Sequence, residues 1–306
     1  MIIGSSKDRF FVSVDVSAKD PRDDQRLRRA LSEITVRDLQ VSINSHPTGA
    51  FHTVEGESTS QLESICNRLR NQYLAIIVDG PKPVFLETFR EDCEVEGKYI
   101  QQVGGSGNYG HCRLHIEPSA RGRGYSFISM VPRGLLLDEY VKSIERGVQI
   151  AMQSGGLHGH PIVDLNVTLI DASYHAEDSN PTAFEIAGST AFVSAVKKAH
   201  PILLEPVVSF EIEVGGWYRE EIKHQVALRR GRVEERGTGE ITATLPLSEL
   251  LTASFKEIGA LTMRLAGYEP VRGAEPPDED ASGVTANNPK VPRPRSGSEA
   301  VRPEEG

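Results

Sequence analysis

Seven residues near the middle of the chain, Val163 to Leu169 (VDLNVTL), alternate apolar and polar without a break. Successive side chains of an extended chain point to opposite faces, so Val163, Leu165, Val167 and Leu169 line one face and Asp164, Asn166 and Thr168 the other. One face is therefore expected to be buried, and helices stand on either side of it in sequence. DEYVKSIERGVQIAMQSGG predicts a helix with Asp138 as N-cap, an apolar stripe through Tyr140, Ile144, Val148 and Ala151, and a stop at Gly155 and Gly156. NPTAFEIAGSTAFVSAVKKAHP predicts a second, with Asn180 as cap, Pro181 at the first helical position, Lys197 and Lys198 in the last turn, and Pro201 beyond.

The flanks repeat another plan. FFVSVDV, DQRLRRALSEI, LQVSIN, AFHTVEG, STSQLESICNRLRNQYL and AIIVDG read strand, helix, strand, strand, helix, strand, the βαββαβ order of a ferredoxin-like domain. In the second helix Leu62, Ile65, Leu69 and Tyr73 share a face. From EPVVSFEIEV to TMRLAGYEPV the same order recurs in a shorter form. The fold class is α+β: ferredoxin-like over 8–92, a middle unit over 93–204, and a second small ferredoxin-like unit over 205–271. Residues 272–306 are rich in Pro, Gly, Ser and charge and lack aromatic residues, Leu and Ile; they are expected to form a disordered tail.

A formal net charge of -9 excludes a globally basic nucleic-acid binder but leaves room for a local basic face. The three cysteines, Cys66, Cys93 and Cys112, are odd in number and widely spaced, which suits neither a disulfide framework nor a zinc site and favours a reducing compartment. Neither a signal peptide nor a membrane span is expected, since no run of about 18 apolar residues occurs.

Three strings carry a family resemblance: GKYIQQVGGSGNYGH, DEYVKSIERGVQIAMQSGGLHGHPIVDLNVTLIDASYHAEDSN and AFEIAGSTAFVSAVKKAHPILLEPV. Together they resemble the fourth domain of translation elongation factor G, and the flanks resemble its third and fifth domains in order, over roughly residues 8 to 271. The resemblance implies a ribosomal-protein-S5-like middle domain with an atypical βαβ crossover. It also implies two tip loops that enter the ribosomal decoding site: Gly104, Gly105, Ser106, Gly107 and Asn108 in one, Ser173, Tyr174 and His175 in the other, with Asp178 shaping the second. His175 would face transfer RNA. Arg229, Arg230 and Arg232 in RRGRVEER would touch ribosomal RNA or form a solvated turn. Ser106 stands where the family commonly has an arginine, and a lost cation lowers affinity for RNA and its salt dependence.

Plainer readings stand beside these. Asp178 and Ser179 would cap the following helix. His158 and His160 in LHGHP lack a third local ligand, so a metal site is not expected. GGSGNYG lacks the strand, helix and acidic partner of a dinucleotide loop. Asp171, Ser173 and His175 have the residue types of a hydrolase triad, but one loop cannot set such groups and an oxyanion hole in register.

No G-x-x-x-x-G-K-[ST] loop or N-K-x-D string occurs, so GTP hydrolysis is not expected of this chain, no cofactor is implied, and GTP would enter only through a separate partner. The expected role is ribosome binding in translation elongation, with ribosomal and transfer RNA as partners, no membrane, and a cytoplasmic location. Two alternatives stay open: half of a split translocase with a separately encoded GTPase, and a protein-interaction module without a ribosomal role.

Overall fold

The computed structural model describes residues 10–37, 40–46, 49–72, 75–103, 106–213, 218–236, 240–252 and 263–272. All of them fall within one compact unit, Met1–Glu275. The expected tail lies, from residue 273 on, outside the described residues, as does Tyr73.

The first sheet comprises β1 (Val12–Ala18), β2 (Val41–Ser45), β3 (His52–Gly56) and β4 (Ile76–Pro83), in the order β2-β3-β1-β4. Helices α1 (Asp24–Arg37) and α2 (Thr59–Asn71) connect them. Period-two alternation in β1 turns Val12, Val14 and Val16 into the core, where Leu62, Ile65 and Leu69 of α2 meet them. Asp15 takes the other face and accepts from Thr53 Oγ1 at 2.7 Å and Lys82 Nζ at 2.7 Å. The start of α2 is set by Ser58, whose hydroxyl accepts from Gln61 N at 3.2 Å.

A second copy of this plan follows much later in the chain. Strands β10 (Ile202–Glu213), β11 (Arg232–Arg236), β12 (Glu240–Pro246) and β13 (Arg264–Pro270), with α5 (Tyr218–Leu228) and α6 (Leu247–Thr252), lie in the order β11-β12-β10-β13. In each sheet the first strand lies between the third and the fourth. The two units share one hydrophobic core: Val208, Phe210, Ile241, Leu245 and Leu247 are continuous with Val14, Leu31 and Leu69. A short strand, β5 (Leu86–Thr88), leaves the first unit and pairs with the start of β10, Leu86 opposite Leu204 and Thr88 opposite Ile202.

Between them the middle sheet runs β6-β7-β9-β8, from β6 (Cys93–Val103), β7 (Ser106–Pro118), β8 (Tyr125–Ser129) and β9 (Leu165–Ser173). Strands β8 and β9 are parallel, and α3 (Asp138–Ser154) crosses between them, which gives the expected βαβ crossover. Helix α4 (Pro181–Lys198) covers the same face, and Phe184, Phe192, Ile144, Val148, Leu165, Val167 and Leu169 form the core beneath. Contact is close enough that backbone meets backbone. A side chain at Gly97 would collide with the Ala187 carbonyl, and one at Gly147 with that of Glu185.

Two sequence expectations are corrected here. The N-cap of α3 is Leu137, extended and without a side-chain cap bond, while Asp138 sits inside the first turn, where its charge still favours the positive end of the helix. Asp164 does not face solvent as the alternation predicted: it is 4% exposed, has φ of 57°, and precedes β9. Its carboxylate accepts from Gly124 N at 2.8 Å and Gly122 N at 3.0 Å, and its carbonyl from Ser119 N at 2.8 Å. The alternation begins one residue later because Asp164 is engaged in fixing the 119–124 loop.

Candidate functional site

Strands β6 and β7 pair without interruption from Cys93 opposite Ile116 to Val103 opposite Ser106. Ser106, Gly107 and Asn108, expected in a tip loop, are therefore strand. Gly104 and Gly105 lie outside the described residues. The pairing brings Gly107 to Tyr109 of β7 beside the segment that follows β9.

That segment, Tyr174 to Asn180, is fastened to β7 through Tyr109. Tyr109 N donates to the Asp178 carbonyl at 2.8 Å, and Ser179 Oγ donates to the Tyr109 carbonyl at 2.9 Å. The same Ser179 hydroxyl accepts from His175 N at 2.9 Å, which closes the turn. Gly107 faces the Asp178 carboxylate so closely that any side chain there would overlap it. Asn180 Nδ2 donates to Asn108 Oδ1 at 2.6 Å while Asn180 Oδ1 accepts from Ala183 N at 2.9 Å. The cap of α4 is thus Asn180, as the sequence predicted, and the capping role weighed for Asp178 and Ser179 is not what they do: both bind the hairpin instead. Gly107, Asn108, Ser173, Tyr174 and His175 are brought together at one end of the middle sheet; Ser106 joins them through the backbone of β7.

His175 is 66% exposed, its Nδ1 lies 3.6 Å from Asp178 Oδ2, and its ring faces that of Tyr109 at 6.1 Å between centroids. Tyr174 is 53% exposed. The end therefore offers an imidazole, a phenol, an amide and backbone to solvent, groups that stack on and hydrogen-bond irregular RNA. It does not offer a cationic groove: Asp171 and Glu177 are exposed beside it. Asp171, Ser173 and His175 do not form a triad either. Ser173 Oγ bonds the Tyr109 hydroxyl at 2.8 Å and His111 Nδ1 at 2.9 Å, and His111 Nε2 lies 2.9 Å from Glu96 Oε1. Tyr109, His111 and Glu96 were missed by sequence reasoning; the period-two spacing of Tyr109 and His111 on a strand was the signal that would have found them.

The arginines lie elsewhere. Arg230, with φ of 61°, is held by the buried Glu205 and by Glu249 at 2.9 Å, so its charge is neutralised within the fold. Arg229 Nη1 donates to the Gln225 carbonyl at 2.9 Å. Arg232 is 80% exposed, 4.0 Å from Glu269.

His158 and His160 surround a fully buried carboxylate that sequence reasoning did not foresee. Glu87 Oε1 accepts from His158 N at 3.0 Å and His160 N at 2.9 Å, and its Oε2 lies 3.3 Å from His158 Nδ1. Burial pushes the His160 imidazole below its ordinary range, against the pull of Glu87. Among the described residues no group of three or more His, Cys, Asp or Glu side chains is placed to hold a metal. No helix among them is long and apolar enough to cross a membrane.

Comparison with known proteins gives two results. Residues 83–200 match the family model for elongation factor G, domain IV. A crystal structure of a protein from Thermus thermophilus is similar at TM-score 0.68 and 28% sequence identity, over 86% of this chain and 41% of that one. The chain thus spans about two fifths of the length of the structure it matches.

Proposed function

From a chain whose residues 83–200 match domain IV of elongation factor G, and whose fold resembles the C-terminal half of that factor, we propose a ribosome-binding role in translation elongation. Its three units, 8–92, 93–204 and 205–271, stand for the third, fourth and fifth domains. The observation that carries this reading is the convergence of Gly107, Asn108, Tyr174 and His175 at one end of the middle sheet, with His175 held in place by backbone yet two-thirds exposed.

Under this reading the contact is with ribosomal RNA and transfer RNA, made by stacking and hydrogen bonds more than by charge. Gly104, Gly105 and Ser106, by the resemblance, would let backbone approach a phosphate. With Ser106 in place of an arginine, salt should weaken binding less steeply than for an arginine-bearing tip. Arg232 is the cation of the RRGR segment with most exposure for a second contact, whereas Arg230 is held by carboxylates.

The test is co-sedimentation of the purified chain with intact ribosomes across a salt titration, beside His175→Ala and Asn108→Ala. Salt-sensitive binding that both substitutions weaken is the expected result. A chain that stays in the supernatant at low salt would rule out autonomous ribosome binding. Binding that appears only when a separate GTPase is added would favour the split-translocase reading, in which the partner performs phosphoryl transfer and this chain couples it to movement.

A further inference from the structure

Across the open face of the middle sheet a single file of polar groups joins three of its four strands at one end: Glu96 on β6, His111 and Tyr109 on β7, Ser173 on β9. The separations are 2.9 Å from Glu96 Oε1 to His111 Nε2, 2.9 Å from His111 Nδ1 to Ser173 Oγ, and 2.8 Å from Ser173 Oγ to the Tyr109 hydroxyl. The carboxylate decides which way the protons point. Glu96 only accepts, so with a neutral imidazole Nε2 of His111 carries the hydrogen and Nδ1 is left as an acceptor. Ser173 therefore donates to Nδ1, and its remaining lone pairs receive the Tyr109 O–H. Every donor aims the same way, from Tyr109 towards Glu96, an arrangement in which each bond polarises the next.

Tyr109 is where this file meets the tip. Its hydroxyl is the head of the chain, its backbone holds Asp178 and Ser179, and its ring lies against His175. With the hydroxyl fixed, the phenol ring cannot swing about its Cα–Cβ bond, and His175 has a rigid wall on one side.

We propose that Glu96, His111 and Ser173 are positioning residues for the tip: by fixing Tyr109 they hold the His175 imidazole in the orientation that meets RNA. This rests on the ribosome-binding reading for its purpose, but the coupling itself is a property of the free chain. None of the three need touch the ligand. Glu96 is farthest, and its effect must pass through two side chains before it reaches Tyr109.

Two measurements test it. In the free protein, the His175 imidazole resonances, assigned by their loss in His175→Ala, should shift in Tyr109→Phe, Ser173→Ala and His111→Ala; the smallest shift is expected for Glu96→Gln, which keeps an acceptor. Urea unfolding of the same variants identifies any that have lost the fold. Unmoved His175 resonances in folded Tyr109→Phe and Ser173→Ala would overturn the proposal, whether or not the chain binds ribosomes. In co-sedimentation, Ser173→Ala and Tyr109→Phe should each weaken binding about fivefold, the worth of one hydrogen bond. The loss should vanish when His175 is already alanine, because groups that act through one residue are not additive. Losses that simply multiply in the double variants would also overturn it. If the wild-type chain does not sediment, the ribosome-binding reading fails by itself and the resonance shifts still decide the relay.

Discussion

At the scale of single residues, the most informative side chains are polar groups that the fold has buried. Asp164 is one: a left-handed backbone and a carboxylate that holds two glycine amides are both lost in Asp164→Ala, which should cost about 2 to 4 kcal/mol in urea unfolding. Asp164→Asn should cost less, since asparagine tolerates that backbone and keeps one acceptor. The sequence placed Asp164 on a strand's outer face because alternation carries no information about where a strand begins. Glu87 was invisible for a similar reason, since its partners are main-chain amides of residues more than 70 positions away. Cysteine behaviour was easier to read. Burial pushes the Cys112 thiol up to about 12, and Cys66 and Cys93 are raised in the same way. A colorimetric thiol reagent at neutral pH should react first, and slowly, with half-buried Cys93, and reach Cys66 and Cys112 only after urea is added.

At the scale of elements, the helices were legible wherever a cap and a stripe coincided. Asn180 and Pro181 marked the start of α4, and Gly155, with φ of 101°, marked the end of α3. The long hairpin was not legible as such, because four glycines between 104 and 110 look like loop composition until the strand on either side is seen to need close approach to α4. Gly97→Ala and Gly147→Ala should each destabilise the middle unit by about 3 kcal/mol, since the methyl has no room against a neighbouring carbonyl. Gly122→Ala, with nothing within 4 Å but φ of 76°, should cost only about 1 kcal/mol. Equal losses at all three sites would mean that the close packing of α4 is not what those glycines serve.

At the scale of the whole molecule, the repeated βαββαβ order was readable from periodicity, while the joining of the two copies was not. Val208, Phe210 and Leu247 look in sequence like the core of a separate unit, yet they are continuous with the core built on β1 and α1. Phe210→Ala should therefore lower amide hydrogen-exchange protection in β1 and β3 as well as in β10 and β12. Loss confined to the second pair would mean two independent cores. Acid should also loosen the molecule. Burial makes the His160 imidazole harder to protonate in the folded chain, whereas the unfolded chain takes up a proton near the ordinary value of about 6.5. Stability then falls as pH drops below that value and levels off once the folded form is protonated too. The urea midpoint should decrease between pH 7.5 and pH 5, by less in His160→Asn than in the wild-type chain.

Helix α4 starts at the Asn180 cap beside His175 and ends three residues before β10, the strand that β5 splices to the rest of the fold. Eighteen helical residues make a rod about 27 Å long. Because Gly97, Gly110, Gly147 and Gly188 let main chain press directly on main chain along its length, little compressible side-chain padding separates it from its guides. It is built like a pushrod in a close-fitting sleeve. A load applied at the histidine end would be passed along the axis towards Ile202, with little room for local repacking on the way.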